Sequence, residues 1–289
     1  MNRYIIFVLL GAILWGTTGT AQALAPEEAT PLVVGALRLL VGGIALLVYI
    51  FISRENYQWN LPLLPLFFSA LAMAAYQPFF FTGVAVTGVA VGTVVALCSA
   101  PIFAGLFEVF LYRKVPDWVW GLSTLLAVIG CMLLFQSNQS IVVEPLGITF
   151  SLLAGFSFAV YTFVSKSLVT NHSSDLVVAV VFSSAAVMLL PILFFHNFQW
   201  IGTLSGSLSV LHLGIIATGV AYILFARGLK KIQSSSAVTL ALAEPLTAAV
   251  LGIFLLGEEL TFLSSIGLAL LFVGLLLLGN KHRLLKNYS

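Results

Sequence analysis

Apolar runs of about twenty residues, parted by short polar breaks, recur along the whole chain. A helix that crosses a bilayer needs about 20 apolar residues. Windows of that size predict ten spans: 4–24, 31–52, 63–83, 89–112, 117–135, 145–168, 176–196, 207–228, 236–256 and 262–280. The breaks carry loop chemistry around Asn56–Asn60, Gln136–Glu144 and Asn197–Ser205. Thr30-Pro31 reads as a helix start, because the N–H that proline lacks has no partner at the first helical position. No interval between runs has room for a soluble domain. The predicted fold class is therefore an all-α integral membrane protein.

The pattern also repeats on a larger scale. An offset of 144 places Pro101 on Pro245, Val94 on Val238, Ala104 on Ala248, Phe110 on Phe254 and Gly130 on Gly274. Both prolines fall inside apolar runs, where each is expected to interrupt its helix and free a carbonyl one turn back. Lipid offers that carbonyl no partner, so each break must face protein or a wet cavity. Paired interruptions in two halves point to a transport site. The halves, 1–140 and 141–289, hold five spans each. Five is odd, so the second half enters the membrane the other way round and the two form an inverted repeat.

Charge fixes the orientation. With the N-terminus in the cytoplasm, Arg3, Arg54, Arg113, Lys114, Lys166, Arg227, Lys230, Lys231, Lys281, Arg283 and Lys286 all fall at the cytoplasmic face. Only Arg38 lies within a span away from that face, and the external loops carry Glu27, Glu28, Glu144, Glu258 and Glu259. This is the positive-inside pattern, and both termini are predicted to be cytoplasmic. Miscounting one span would scatter the cations over both sides. The counterpart loops after spans four and nine carry Arg113-Lys114 and Glu258-Glu259, opposite charges for opposite compartments.

Composition agrees. The 289 residues are 61% hydrophobic and 8% charged, against about 25% charged in soluble domains. A net charge of +2 gives no reason to expect nucleic acid. Cys98 and Cys131 lie inside spans and read as free buried thiols. The start resembles a signal peptide, with Arg3, an apolar run from Tyr4 to Leu14, and Ala21-Gln22-Ala23. The apolar stretch outlasts an h-region, however, and its removal would leave the first half a helix short.

Few residues within the spans carry chemistry. Glu244 precedes Pro245 at a depth of about 13 Å, from the helical rise per residue. Intramembrane carboxylates are costly and usually functional. Glu244 would bind a cationic amine or exchange a proton, unless it serves as a structural acid near the break. The first half has Ala100 in its place. Arg38, about 10 Å from the external end, would attract a substrate carboxylate, or else pair with a carbonyl or snorkel outward. Together the two would suit a zwitterionic amino acid. Trp15, Tyr76, Gln77, Tyr161 and Tyr222 are candidate binding residues, since small-molecule sites are aromatic with few polar groups; taken singly, such a residue is more often part of the core, where its polar atom needs a partner. Ser99 would offer its hydroxyl to substrate or to its own helix. Glu108 reads as half of a solvated interfacial pair with Arg113 and Lys114. His212 is alone, with no ligand role. Gly88 and Gly92 permit close helix packing. No Walker loop, metal-spaced cluster or nucleophile–base pair is present, so no ATP drive, metal, cofactor or enzyme activity is expected.

Leu14-Trp15-Gly16-Thr17-Thr18-Gly19, Ser99-Ala100-Pro101, Ala243-Glu244-Pro245-Leu246 and Leu256-Gly257-Glu258 occur in an order and spacing that resemble the drug/metabolite transporter superfamily, in particular its EamA-type exporters. The first half departs from the pattern in having Arg113-Lys114 where Gly-Glu often stands, which the opposite orientation explains. The resemblance implies secondary-active export of small metabolites, often amino acids or amines, across the cytoplasmic membrane by alternating access. Protons are the candidate coupling ion, through Glu244. The expected partners are a small-molecule substrate and membrane lipid, with the protein a monomer or weak dimer. The alternative is an integral membrane enzyme or lipid-processing protein, which would carry paired acids, histidines or metal ligands at the membrane face.

Overall fold

The computed structural model describes residues 2–53, 55–135, 144–257, 261–281 and 284. Among these residues there are helices and no strands. Nine helical spans are at least 18 residues long and apolar enough to cross a membrane: Arg3–Ala23, Pro31–Ile52, Leu63–Thr87, Val89–Tyr112, Pro145–Asn171, Ser174–Phe194, Leu204–Leu229, Ser234–Leu255 and Phe262–Gly279. Trp118–Leu134 is shorter and completes the ten as span five. Spans two and four begin and end where the apolar pattern places them. Arg54, Arg283, Lys286, Glu258, Glu259 and the 140/141 boundary lie outside the described residues.

Local chemistry sets the ends. Pro31 is the first residue of span two. The Asp117 carboxylate accepts from Trp120 N at 3.1 Å and caps span five. Thr261 caps span ten by accepting from Ser264 N. Gly88 alone separates spans three and four, at φ 90°, a conformation that a side chain would strain.

The packing shows the inverted repeat directly. Span three lies along span six, and its counterpart, span eight, lies along span one. Two with seven, five with ten and four with nine are each pairs that map onto themselves when the halves are exchanged. Two inverted five-helix repeats thus interdigitate around an axis in the membrane plane. Spans five and ten cross most tightly: a Cβ on Gly130 would lie 2.6 Å from Leu271 N and 2.7 Å from Gly267 O. Small residues there let the backbones touch. The repeat-related Phe110 and Phe254 both face outward, 75% and 80% exposed, as a lipid-facing surface requires.

The two prolines behave differently from each other. Span four runs unbroken from Val89 to Tyr112 with Pro101 inside it, so the expected break at Pro101 is corrected. One missing N–H leaves the neighbouring helical bonds in place. Leu97, whose carbonyl loses its partner, lines the central cavity. Span nine does break, but ahead of Pro245. Ser234–Leu240 ends, Ala241 and Leu242 form a turn, and a new helix starts at Ala243. Pro245 is then in a first turn, where its missing N–H is tolerated.

Two interruptions carry no proline. Span one breaks at Thr17, whose hydroxyl donates to Leu14 O at 2.7 Å. Span eight winds as a nine-residue π-helix over His212–Val220, a geometry concentrated at functional sites.

Candidate functional site

A cavity lies among spans one, two, three, four and nine. Its outer chamber, about 290 Å³, opens past Gln22, Pro31, Val84 and Val89 at the external ends of these spans. A deeper chamber of about 40 Å³ is floored by Phe158, Tyr222, Val238 and Leu242. Trp15, Thr18, Arg38, Tyr76, Gln77 and Glu244 line both.

Arg38 and Glu244 therefore face one cavity. Arg38 is buried; its Nε donates to Thr218 Oγ1 at 3.1 Å and its Nη2 to Ala217 O at 3.3 Å, both on the π-helical stretch. Arg38 thus pairs with a carbonyl and also lines the cavity. The two bonds use only part of the guanidinium fork. Glu244 sits in the first turn of the restarted helix, where the helix dipole favours a carboxylate. Among the described residues no hydrogen-bond partner holds its side chain. Span one passes close to this turn because residue 16 is glycine: a Cβ there would lie 2.7 Å from Glu244 O.

The walls are aromatic. Trp15 contacts Tyr222 at 4.6 Å, Phe225 at 5.1 Å and Phe158 at 5.8 Å between ring centroids. Its indole nitrogen is buried and has no partner among the described residues. Tyr76 stacks on Phe80 at 5.6 Å with 12° between planes. Gln77 is buried and its Oε1 has no partner among the described residues.

Three sequence-based assignments change. Tyr161 does not line the cavity; it packs behind the floor, edge-on to Tyr222 at 5.8 Å and to Phe182 at 5.9 Å. Ser99 is buried against Gly155, and its hydroxyl donates to Ala96 O at 3.2 Å, so it serves its own helix. Glu108 is not solvated. It is 5% exposed and accepts from Ser235 N at 3.1 Å, capping the start of span nine. The Nε2 of His212 shares a 2.7 Å hydrogen bond with Thr17 Oγ1, tying the interruption in span one to that in span eight.

Leu97 and Phe158 are among the lining residues that the sequence reading missed. Leu97 stands one turn before Pro101, so its freed carbonyl was a signal. Phe158 stands in span six much as Trp15 does in span one, within counterpart helices. Among the described residues no group of three or more His, Cys, Asp or Glu could hold a metal ion.

Ten spans in two inverted halves, around a cavity open at one membrane face, define a multi-pass transporter of small solutes in the cytoplasmic membrane. The chain belongs to the EamA-like transporter family, which it matches over residues 2–136 and 145–280. It is 48% identical over 279 residues to the uncharacterized transporter YwfM of Bacillus subtilis (strain 168), covering 96% of this chain and 94% of that protein. It is 28% identical over 263 residues to the threonine/homoserine exporter RhtA of Escherichia coli (strain K12), covering 89% of this chain and 84% of the exporter. A solved crystal structure shares the fold with a TM-score of 0.86 at 19% identity, over 98% of both chains.

Proposed function

We propose that the protein is a secondary-active exporter of small zwitterionic metabolites, amino acids foremost, working by alternating access. The observation that carries this reading is that Arg38 and Glu244 line one aromatic chamber. A substrate carboxylate would meet the Arg38 guanidinium, and its ammonium would meet Glu244 and the faces of Trp15 and Tyr76. The chamber is open to the outside and floored toward the cytoplasm, so this is the outward-facing state. The two halves, 1–140 and 141–289, are the units that rock. Glu244 is the group we assign to proton exchange, since its carboxylate faces the cavity from a helix N-terminus. The cavity is complete within one chain, so a monomer suffices as the working unit. The printed name of RhtA, a threonine/homoserine exporter, supports starting with amino acids.

The test is uptake into proteoliposomes of labelled threonine and homoserine, beside an amine without the carboxylate and an acid without the ammonium. Arg38→Ala should lose the carboxylate-bearing solutes and Glu244→Gln the ammonium-bearing ones. Wild-type flux in both variants would sink the assignment. Dependence on a pH gradient that survives Glu244→Gln would remove that residue from coupling.

A further inference from the structure

The cytoplasmic ends of spans four, six, eight and nine are tied together by two charged side chains. Lys166, near the end of span six, donates from Nζ to Leu229 O at 2.6 Å and to Ile232 O at 2.8 Å. Both carbonyls belong to the end of span eight and its link to span nine. Glu108 of span four accepts from Ser235 N on the other side of the same link. Between them lies a recess of about 330 Å³, lined by Glu108, Lys114, Lys166, Gln233 and Ser234.

The inverted repeat gives this recess a meaning. The external mouth is bounded by span one at Gln22, by span two at Pro31, by the junction of spans three and four between Val84 and Val89, and by span nine at Ala248. Exchanging the halves turns these into span six, span seven, the link from span eight to span nine, and span four. All of these but span seven line the recess. The recess is thus the mouth of the opposite side in its closed form. The two mouths differ in what crosses them. Lys166 and Glu108 bridge the closed one, whereas at the open one Gln22 lines the gap and its amide nitrogen has no partner among the described residues.

We propose that Lys166 and Glu108 are the cytoplasmic latch, positioning residues that hold the carrier outward-facing and must let go before it can load from inside. Charge-assisted bonds to helix-end carbonyls and amides are strong and directional. Rocking spans four and six away from the link would break all three. The inference rests on the alternating-access part of the proposed function and on no particular substrate.

The experiment needs no substrate, so a wrong solute leaves it intact. In a Cys98→Ser/Cys131→Ser background, Ala237→Cys reports the cytoplasmic path, being fully buried beneath the link, and Thr93→Cys reports the outer chamber. A membrane-impermeant maleimide is applied to inside-out and right-side-out vesicles. Lys166→Met should speed labelling of the Ala237→Cys reporter by about tenfold or more, the low end for one lost charged hydrogen bond, and slow labelling of the Thr93→Cys reporter. Lys166→Arg should restore both rates, and Glu108→Gln should shift them the same way by less. Gel filtration of each variant checks that it is folded. Unchanged rates at both reporters in folded Lys166→Met, or rates that rise together, would overturn the latch.

Discussion

Spans four and nine are repeats of one another, yet Pro101 rides inside an intact helix while span nine stops and restarts just before Pro245. The neighbours of each proline explain the difference. Ser99 stays within its own helix, bonded to Ala96 O and packed on Gly155. In span nine, Thr239 is the hub of a polar cluster: its hydroxyl donates to Ser235 O at 3.0 Å, accepts from Trp120 Nε1 at 3.1 Å and lies 2.9 Å from Thr124 Oγ1. The helix ends there, one residue later. The restart supplies an N-terminus deep in the protein, and Glu244 occupies its first turn. Span four has no such terminus near Ala100, so a carboxylate there would lack dipolar support. The shared proline marks the place; the break decides which half carries the charge.

Four measurements break or sharpen this contrast. The largest effect belongs to Glu244→Gln, with Arg38→Ala beside it: each should lower transport of a zwitterionic substrate by about 100-fold, the scale of a charged hydrogen bond lost inside a protein. Uptake into proteoliposomes reads it. Next comes Ala100→Glu, which puts an acid into the unbroken helix and should cost about 2 kcal/mol of stability, near the cost of a mid-membrane carboxylate. Denaturant unfolding in detergent reads that, and an unaffected protein would show that no helix terminus is needed. Third, Pro101→Ala should stabilise by about 1 kcal/mol by returning one helical hydrogen bond. Pro245→Ala should change stability by less, about 0.5 kcal/mol at most, because a first-turn N–H has no partner to regain. Equal effects would erase the distinction between the two sites.

The smallest effect lies in spans five and ten, a pair that maps onto itself. Asp117 at the start of span five pairs with Lys281 beyond span ten. Burial alone would raise the Asp117 carboxyl, but the Lys281 ammonium and Trp120 N–H outweigh it and hold it below its ordinary 3.8. A depressed carboxylate stabilises above its ordinary value and loses that contribution as pH falls through the lowered one. Asp117→Asn should therefore cost less than about 1 kcal/mol at pH 7 and progressively less as pH falls through the lowered value. Thermal unfolding followed from pH 7 into the acid range checks this.

The apolar pattern carried the spans because membrane helices are set by length and composition, and Thr30-Pro31 marked its start to the residue. Cation placement carried the inversion for a similar reason, since it needs no tertiary contact. The interruptions at Thr17 and His212–Val220 stayed hidden because neither holds a proline or a charge at its centre. Glu108 was misread because its partner, Ser235 N, lies 127 residues away, and its neighbours in sequence suggested a different one. Tyr161 and Tyr222 look alike as buried aromatics. Only packing shows that one floors the cavity while the other backs it. Arg38 and Glu244 could each be flagged from depth and charge, whereas their convergence depends on five spans at once.

The sealed floor beneath Tyr222 and Phe158 also bears on how such a carrier would behave in a living cell. A carrier that rests facing outward offers its site to internal solute only in the small fraction of time spent facing in. Its apparent affinity on that side is weakened by the same fraction. Ordinary internal concentrations would then pass almost unnoticed, and appreciable flux would begin only when the solute accumulates. If the proposed exporter mechanism holds, the closed floor would make the protein an overflow valve, whose opening threshold is tuned by the resting balance of its two halves, with the contacts around the bound solute left unchanged.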